Sequence, residues 1–394
     1  MCEEVLQDAI AMVRESTCAY CHYITPNDVG ATGGHQYGFH VAKSCYHLFF
    51  DKGGVKGENL EKTVEITWQK SFVTQSMAKY YGVGTRNEYR LTRYGRDFEF
   101  LKDDYIGSLL IMTRNEDGAY NAYVLSNQSN IEDFIATFQL DITKGNQLIV
   151  KSGMGESRDV LLEKIRDFVD QYDTFPDTQQ MSAFAREIVL LANNYVSRDV
   201  DKKADSILLQ WVDAEYQLFN ALEEKIYRPI YANPFANCQD LIDFSNMILN
   251  RRKSRAGKSL EHHLAFIFDA AKLRFEEQVV TENNKKPDFI FPDGASYHNI
   301  MFPAERLTML GAKTTCKDRW RQVLNEANRI PEKHLFTLQR GVSRNQLQEM
   351  CDEHLTLVVP KENKTLFLPE FHDHIMCLSD LFPWLGKGNY RAQY

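Results

Sequence analysis

No apolar run in this chain approaches the roughly 20 residues that a membrane-spanning helix requires, so no membrane partner is expected. The N-terminus, MCEEVLQDAI, is acidic and has no secretory n-region. The two absences together lead us to expect a cytoplasmic protein. Such a compartment keeps thiols reduced, and the eight cysteines, at 2, 18, 21, 45, 238, 316, 351 and 377, are read as free. Cys18-Ala-Tyr-Cys21-His22 has the spacing of a zinc half-site, but no second CxxC completes it. No internal repeat or low-complexity tract is present. Net positive charge is lacking too: 46 basic against 54 acidic residues give −8, which taken alone argues against a nucleic-acid partner.

The charge is unevenly spread. Arg251-Arg252-Lys253, Arg255 and Lys258 form one basic cluster, Lys313 to Arg321 a second, and Arg86, Arg90, Arg93 and Arg96 a third. Acids gather elsewhere, at 156–177 and 199–205. Three basic clusters, each beside a motif, point back towards DNA phosphates.

With 394 residues the chain can bury two or three cores. Residues 1–150 read as a mainly β domain: a short helix at Leu6–Val13, then strands at Phe39–Val41, Val64–Trp68, Tyr89–Leu91, Gly107–Met112, Ala122–Leu125 and Leu148–Val150. Many short strands between turn signals suggest a barrel or sandwich. Residues 151–178 read as a connector, with Ser152-Gly-Met-Gly155 flexible in composition and helical spacing over Asp159–Tyr172. Residues 179–394 read as helices at Met181–Tyr195, Ala204–Tyr227 and Ser259–Gln278, followed by a small α/β core. Its strands are expected at Asp288–Phe291, Thr308–Lys313, His334–Gln339 and Leu355–Val359, its later helices near Asp318–Arg329 and Ser343–Glu353. That order suits a mixed sheet flanked by helices.

The most telling stretch runs from Lys286 to Glu326. Asp288 opens one apolar run, Lys313 closes another, and Glu326 follows in a segment of helical character. Phosphodiester hydrolysis must stabilise a pentavalent phosphate and supply hydroxide near neutral pH, and a divalent metal does both. Magnesium prefers one or two carboxylates plus water and phosphate oxygens, which Asp288 and Glu326 can supply. Lys313 can orient the water or offset phosphate charge. Thr315 and Asp318 have capping-box spacing, which would open the helix at Thr315 and put Lys317 in its first turn. The usual acid two residues before the lysine is missing, because Gly311 stands there. Surface salt bridges on a core sheet are the bland reading of these three residues.

The likeness extends further. Asn250–Glu261 (NRRKSRAGKSLE), Thr281–Phe289 (TENNKKPDF), Ala312–Ala327 (AKTTCKDRWRQVLNEA) and His334–Ser343 (HLFTLQRGVS) closely resemble the catalytic domain of the EcoRII-like type II (type IIE) restriction endonucleases. GATGGHQYG at 30–38, TRNEYR at 85–90 and LTRYGR at 91–96 resemble, more loosely, the effector-binding domain of that family. The resemblance implies a multidomain protein: an N-terminal mainly-β DNA-binding pseudobarrel and a C-terminal restriction-endonuclease-like α/β core. It implies an active site of Asp288, Lys313 and Glu326, with Glu261 contributing from the preceding helix and the missing acid migrated to the helix. Asp288 and Glu326 would hold Mg2+. Lys317, Asp318 and Arg319 would read a CC/GG half-site, cations meeting guanine O6 and N7 and the carboxylate meeting cytosine N4. Arg321 would contact the backbone or pack.

His35, Arg86, Glu88 and Arg90 match effector-contacting positions of the family. Tyr216 matches an aromatic that receives flipped central bases, but Val212, beside Trp211, stands at the companion arginine position, which leaves the central-base preference open. His40, Gly84 and Tyr89 depart from a tyrosine and two lysines, which implies weaker effector binding or a different effector sequence. The partners implied are two copies of double-stranded DNA, a second subunit for a palindromic (CCNGG- or CCWGG-like) site, and a cognate DNA methyltransferase in the host. The N-terminal domain would restrain the catalytic cleft until it binds its own DNA. Two other readings remain: a modification-dependent endonuclease on the same core, and a DNA-binding regulator with an inactive nuclease fold.

Overall fold

The computed structural model describes residues 2–32, 37–149, 160–196 and 199–387. The first half opens with helix α1 (Cys2–Glu15) and then forms strands β1 (Cys18–Tyr23), β2 (Phe39–Val41), β3 (Leu60–Trp68), β4 (Phe72–Tyr81), β5 (Glu88–Thr92), β6 (Leu109–Arg114), β7 (Tyr120–Leu125) and β8 (Asn146–Leu148). Helix α2 (Gln128–Phe138) sits between the last two. The strands make one sheet in the order β2-β5-β4-β3-β7-β6-β1-β8, antiparallel apart from the parallel β3–β7 pair. This is the expected mainly-β, barrel-like unit. Period-two patterning drives it: Val64, Ile66 and Trp68 of β3 point inward while Glu61 and Glu65 face out. Three elements that the sequence reading passed over are β1, β4 and α2. Ile131 and Phe134 of α2 pack with Leu6, Ala9 and Val13 of α1 on the outer face of the sheet.

The second half begins with α3 (Val160–Val169), α4 (Thr178–Ala192), α5 (Asp199–Lys202), α6 (Ala204–Tyr231) and α7 (Cys238–Ala270). Next come β9 (Glu276–Glu277), β10 (Phe289–Phe291), α8 (Gly294–His298), β11 (Thr308–Lys313), α9 (Trp320–Leu324), β12 (Lys333–Thr337), α10 (Arg344–Asp352), β13 (Leu355–Val359), α11 (Lys361–Lys364), β14 (Ile375–Cys377) and α12 (Leu378–Lys387). The six strands order as β14-β13-β12-β11-β10-β9. Neighbours from β11 to β14 are parallel, and β9, β10 and β11 are antiparallel. The result is the expected mixed sheet with helices on both faces. Its central strand β11 is buried along Thr308–Ala312, as a strand covered on both sides must be. Leu260, Leu264, Ile267 and Phe268 of α7 line one face of the sheet together with Trp211 and Leu218 of α6. Phe382 and Leu385 dock α12 onto the same core.

Three expectations need correction. The helix predicted to reach Gln278 ends at Ala270; Lys272 turns left-handed at φ 56°, and Glu276–Glu277 instead pair with β10. The strand expected at Leu148–Val150 is Asn146–Leu148, and residue 150 lies outside the described residues, as does the Ser152–Gly155 connector. The helix predicted over Asp318–Arg329 shrinks to Trp320–Leu324, with no side-chain cap at its start. The capping box does not form because tertiary contacts take both of its groups. Thr315 Oγ1 donates to Glu132, and the Asp318 carboxylate accepts from the Gln128 backbone. Lys317 therefore precedes the helix, and Glu326 follows it.

Candidate active site

The ends of β10 and β11 bring two of the expected catalytic groups together. Asp288 precedes β10, and the antiparallel register sets Phe289 opposite Leu310, so its side chain meets the end of β11. Asp288 Oδ2 accepts from the Ala312 backbone N–H at 2.7 Å and from Lys313 Nζ at 3.0 Å. Oδ1 accepts from Gln278 Nε2 at 3.1 Å. Glu326 is half-buried nearby, and its Oε2 has no hydrogen-bond partner. Burial pushes its carboxyl up to about 7; Lys313 opposes the rise and Asp288 adds to it. Glu261, on α7, pairs with Lys258 at 2.6 Å. Glu277 of β9 is also pushed up, first by burial and then by Glu261 and Asp269.

Gly311 explains why the acid is not on the strand. A Cβ there would meet Val323 Cγ2 at 3.1 Å, so α9 fills the space that an acidic side chain would need. Among the described residues no three His, Cys, Asp or Glu side chains converge to cage a metal. The pair Asp288 and Glu326, one of them with an orphaned buried oxygen, nevertheless fits a magnesium ion. That ion typically takes one or two carboxylates and completes its shell with water and phosphate oxygens.

The residues expected to read DNA face the N-terminal half. Lys317 is 6% exposed, and its Nζ donates to Ser108 Oγ at 2.7 Å. Burial there pushes the ammonium down to about 8. The Gln128 backbone donates to Asp318 Oδ2 at 2.9 Å, and the Asp318 backbone donates to Gln128 Oε1 at 2.7 Å. Arg319 Nη2 pairs with Glu132 Oε2 at 2.7 Å. Arg321 is turned away, bonded to Glu349 and stacked 4.5 Å from the Trp320 ring centre.

The basic run on α7 is engaged in the same way: Lys253 pairs with Asp133, and Arg252 bonds both Glu223 and the Ala136 carbonyl. Arg255 lies 4.7 Å from the Phe219 ring centre and 5.7 Å from that of Tyr216. Val212, at the position where the family resemblance implies an arginine, is buried in the core with Trp211. A cleft of about 540 Å³ runs from Lys313 and Glu261 to Tyr216 and Arg255, and Glu132, Ile135 and Gln139 from α2 and its end wall it on the other side.

The N-terminal positions are less uniform. His35 lies outside the described residues. Arg86 is exposed, 5.2 Å from the Tyr81 ring centre. Arg90, expected to contact effector DNA, is only 3% exposed; it donates to the Gly38 carbonyl at 3.0 Å and lies 3.4 Å from Glu88. In this form Arg90 braces the loop beside residue 38. Tyr89 is buried, with its hydroxyl on the Gly54 backbone, so its departure from lysine acts on the interior of the sheet. Gly84 is exposed, and the His40 ring meets Asn146.

Sequence reasoning missed Gln128, Glu132 and Asp133 on α2, and Gln278 beside Asp288. For α2 a signal was available: Asn127 caps the helix by accepting from Asn130 N–H, and Ile131, Phe134 and Phe138 follow at helical spacing. For Gln278 there was none, since a single amide in a predicted helix carries no pattern.

Comparison with known proteins places the chain in a family. Residues 13–153 match the family model described as "Restriction endonuclease EcoRII, N-terminal", and residues 219–382 match the one described as "EcoRII C terminal". The chain is 35% identical over 365 residues to the type II restriction enzyme EcoRII of Escherichia coli, covering 88% of each. It is 28% identical over 141 residues to the type II restriction enzyme SsoII of Shigella sonnei, covering 33% of this chain and 45% of that one. Among solved structures, metal-depleted Ecl18kI in complex with uncleaved, modified DNA is similar at 18% identity and a TM-score of 0.46, covering 60% of this chain and 88% of that one. With both halves matched by family models and 35% identity covering 88% of each chain, the chain belongs to the EcoRII family of type II restriction endonucleases.

Proposed function

We infer that this protein is a magnesium-dependent endonuclease that cuts double-stranded DNA at a palindromic CC/GG-type site, and that its N-terminal unit binds a second DNA copy and restrains the catalytic cleft. The observation that carries the first part is Asp288 held at 2.7 Å and 3.0 Å by Ala312 and Lys313, with Glu326 beside it. Asp288 and Glu326 would hold the cation. A bound magnesium ion supplies a more acidic water and offsets charge on the phosphate. Lys313, bonded to Asp288 at 3.0 Å, would orient the attacking water in line and offset charge on the scissile phosphate. The products are a 3′-hydroxyl and a 5′-phosphate. A palindrome calls for two such sites related by a two-fold axis, hence a homodimer on DNA. A host carrying this activity needs a matching methyltransferase.

The restraint is supported by the contacts of α2. Glu132 and Asp133 present carboxylates to Arg319 and Lys253, cations suited to phosphate or guanine, while the Gln128 backbone bonds one Asp318 carboxylate oxygen. The helix thus occupies with its own acids and amide the groups that DNA would need. The experiment is cleavage of unmodified DNA with magnesium, with the ends mapped by sequencing. Discrete cuts beside CC/GG sites are expected, and they define the central bases that accompany Val212. Cuts on methylated DNA alone would replace this reading with a modification-dependent one.

The same interface carries a pH dependence. Asp213 of α6 hydrogen-bonds Asp141 just beyond α2, and Lys144 lies 2.8 Å from Asp141 and 3.8 Å from Asp213. Burial, then Asp141, pushes Asp213 up to about 6. Asp141, although buried, is held below the ordinary range by Asp213, Lys144 and Thr143. Separated from the interface, Asp213 returns to a carboxylate value of about 4. The closed form therefore binds the extra proton. Its contribution to closure is complete below about pH 4 and is lost as pH rises through about 6. Energy transfer between dyes on the two halves should report opening over that window. Asp213→Asn, neutral throughout, should abolish the dependence; an unchanged pH profile in that variant would rule the pair out.

A further inference from the structure

Because α9 ends at Leu324, the helix does not aim Glu326; its backbone must be held by something else. Lys333, the first residue of β12, is only 5% exposed. Its Nζ donates to the Glu326 carbonyl at 2.6 Å and to the Ala327 carbonyl at 2.7 Å. Ala327 is fully buried with φ 48°, a left-handed conformation that disfavours a residue with a Cβ and persists only where the surroundings enforce it. The next residue is braced from the other side. Asn328 N–H donates to Glu282 Oε2 at 3.1 Å, and the Tyr297 hydroxyl donates to the same carboxylate at 2.7 Å. Lys333 pairs with Met309 of β11, the strand that ends at Lys313. The ammonium therefore ties the turn carrying the acid to the strand carrying the catalytic lysine.

We propose that Lys333 is the positioning residue for Glu326: its buried ammonium enforces the strained turn at Ala327 and so sets the carboxylate against Asp288 and Lys313. It touches neither substrate nor cation. A lysine suits the task because one ammonium can donate to two adjacent carbonyls at once, and because charge-assisted bonds in a dry site are strong enough to hold a disfavoured backbone. The inference rests on Glu326 as a cation-holding carboxylate.

The test uses the intact chain and reads calcium affinity by calorimetry, the magnesium midpoint of cleavage, hydrogen exchange at residues 326–328, and DNA binding in EDTA. Lys333→Met should raise the calcium dissociation constant and the magnesium midpoint by roughly 10- to 100-fold, as loss of a group that supports a metal ligand does. It should also speed exchange at the turn and leave metal-free DNA binding unchanged. Adding Ala327→Gly, which adopts the left-handed turn without a Cβ penalty, should recover part of the loss; no recovery overturns the proposal, which runs through that turn. A folded Lys333→Met with unaltered calcium affinity overturns it as well. Should that variant not fold, Lys333→Gln, which keeps a donor without the charge, decides by the same readout, unaltered affinity again overturning it. Glu326→Gln is measured alongside. If it leaves calcium binding intact, the assignment of Glu326 fails; if it weakens binding and Lys333→Met does not, only the positioning role fails.

Discussion

Lys313→Ala is expected to lower DNA cleavage on the order of 10³-fold while metal-free DNA binding persists, as removal of one well-placed charge at a transition state does. The ammonium is 3.0 Å from Asp288 Oδ2 and is the cation that does most to lower the Glu326 carboxyl. Its loss would remove the group proposed to orient water and offset phosphate charge. It also leaves two carboxylates facing each other, which pushes Glu326 further up and weakens cation binding. Asp288 should stay in place, because Ala312 and Gln278 still hold its two oxygens. The measurement is single-turnover cleavage across a magnesium series, with circular dichroism to verify the fold. Cleavage at the parental rate would remove Lys313 from the mechanism. Loss of cleavage together with DNA binding in EDTA would point to a recognition role instead.

Releasing the restraint should have the opposite sign. Gln128→Ala combined with Glu132→Ala deletes the side-chain bonds that α2 makes across the interface to the Asp318 backbone, to Thr315 and to Arg319, and leaves the Gln128 backbone N–H on the Asp318 carboxylate. The charge-assisted bonds among them, from Thr315 and Arg319 to Glu132, contribute about 1.5–3 kcal/mol each. Water replaces part of that on opening, so a net shift of roughly 2–3 kcal/mol is reasonable, equivalent to about 30- to 150-fold in the closed-to-open ratio. Cleavage of DNA carrying a single site should rise by up to that factor, and two-site DNA should gain less if, as proposed, effector binding opens the cleft. Deleting residues 1–175 should act in the same direction. Single-site activity unchanged in the double variant would mean that α2 only rests on the cleft. A rise that vanishes at high salt would instead indicate that the substitutions altered surface charge, since ion pairs exposed to solvent are screened there.

The expected elements were legible where one local pattern sufficed. Thr308–Lys313 and Leu355–Val359 are strands along the length expected, because buried parallel strands read as unbroken apolar runs. Met181–Tyr195 and Ala204–Tyr227 fall within a residue or a few of α4 and α6, because amphipathic spacing repeats along a helix. Local pattern misleads where two partners compete for the same side chain. Thr315 and Asp318 satisfy a capping box on paper, yet each finds a partner on α2 that is 183 or 190 positions away. Gly311 reads as a defect in the motif until Val323 is seen packed above it.

By itself, the sequence determined the chemistry available: which acids and which lysine bound the two strands, in what order, and in the company of which basic segments. Those facts are covalent or periodic, and no distant contact can alter them. Only the tertiary structure decided that Glu326 stands outside its helix on a turn held by Lys333, that Gln278 holds Asp288, that Ser108 takes up Lys317, and that α2 closes over Asp318 and Arg319. Each of these depends on a hydrogen bond between elements brought together by packing, and such a bond leaves no periodic trace in either partner's own stretch of chain.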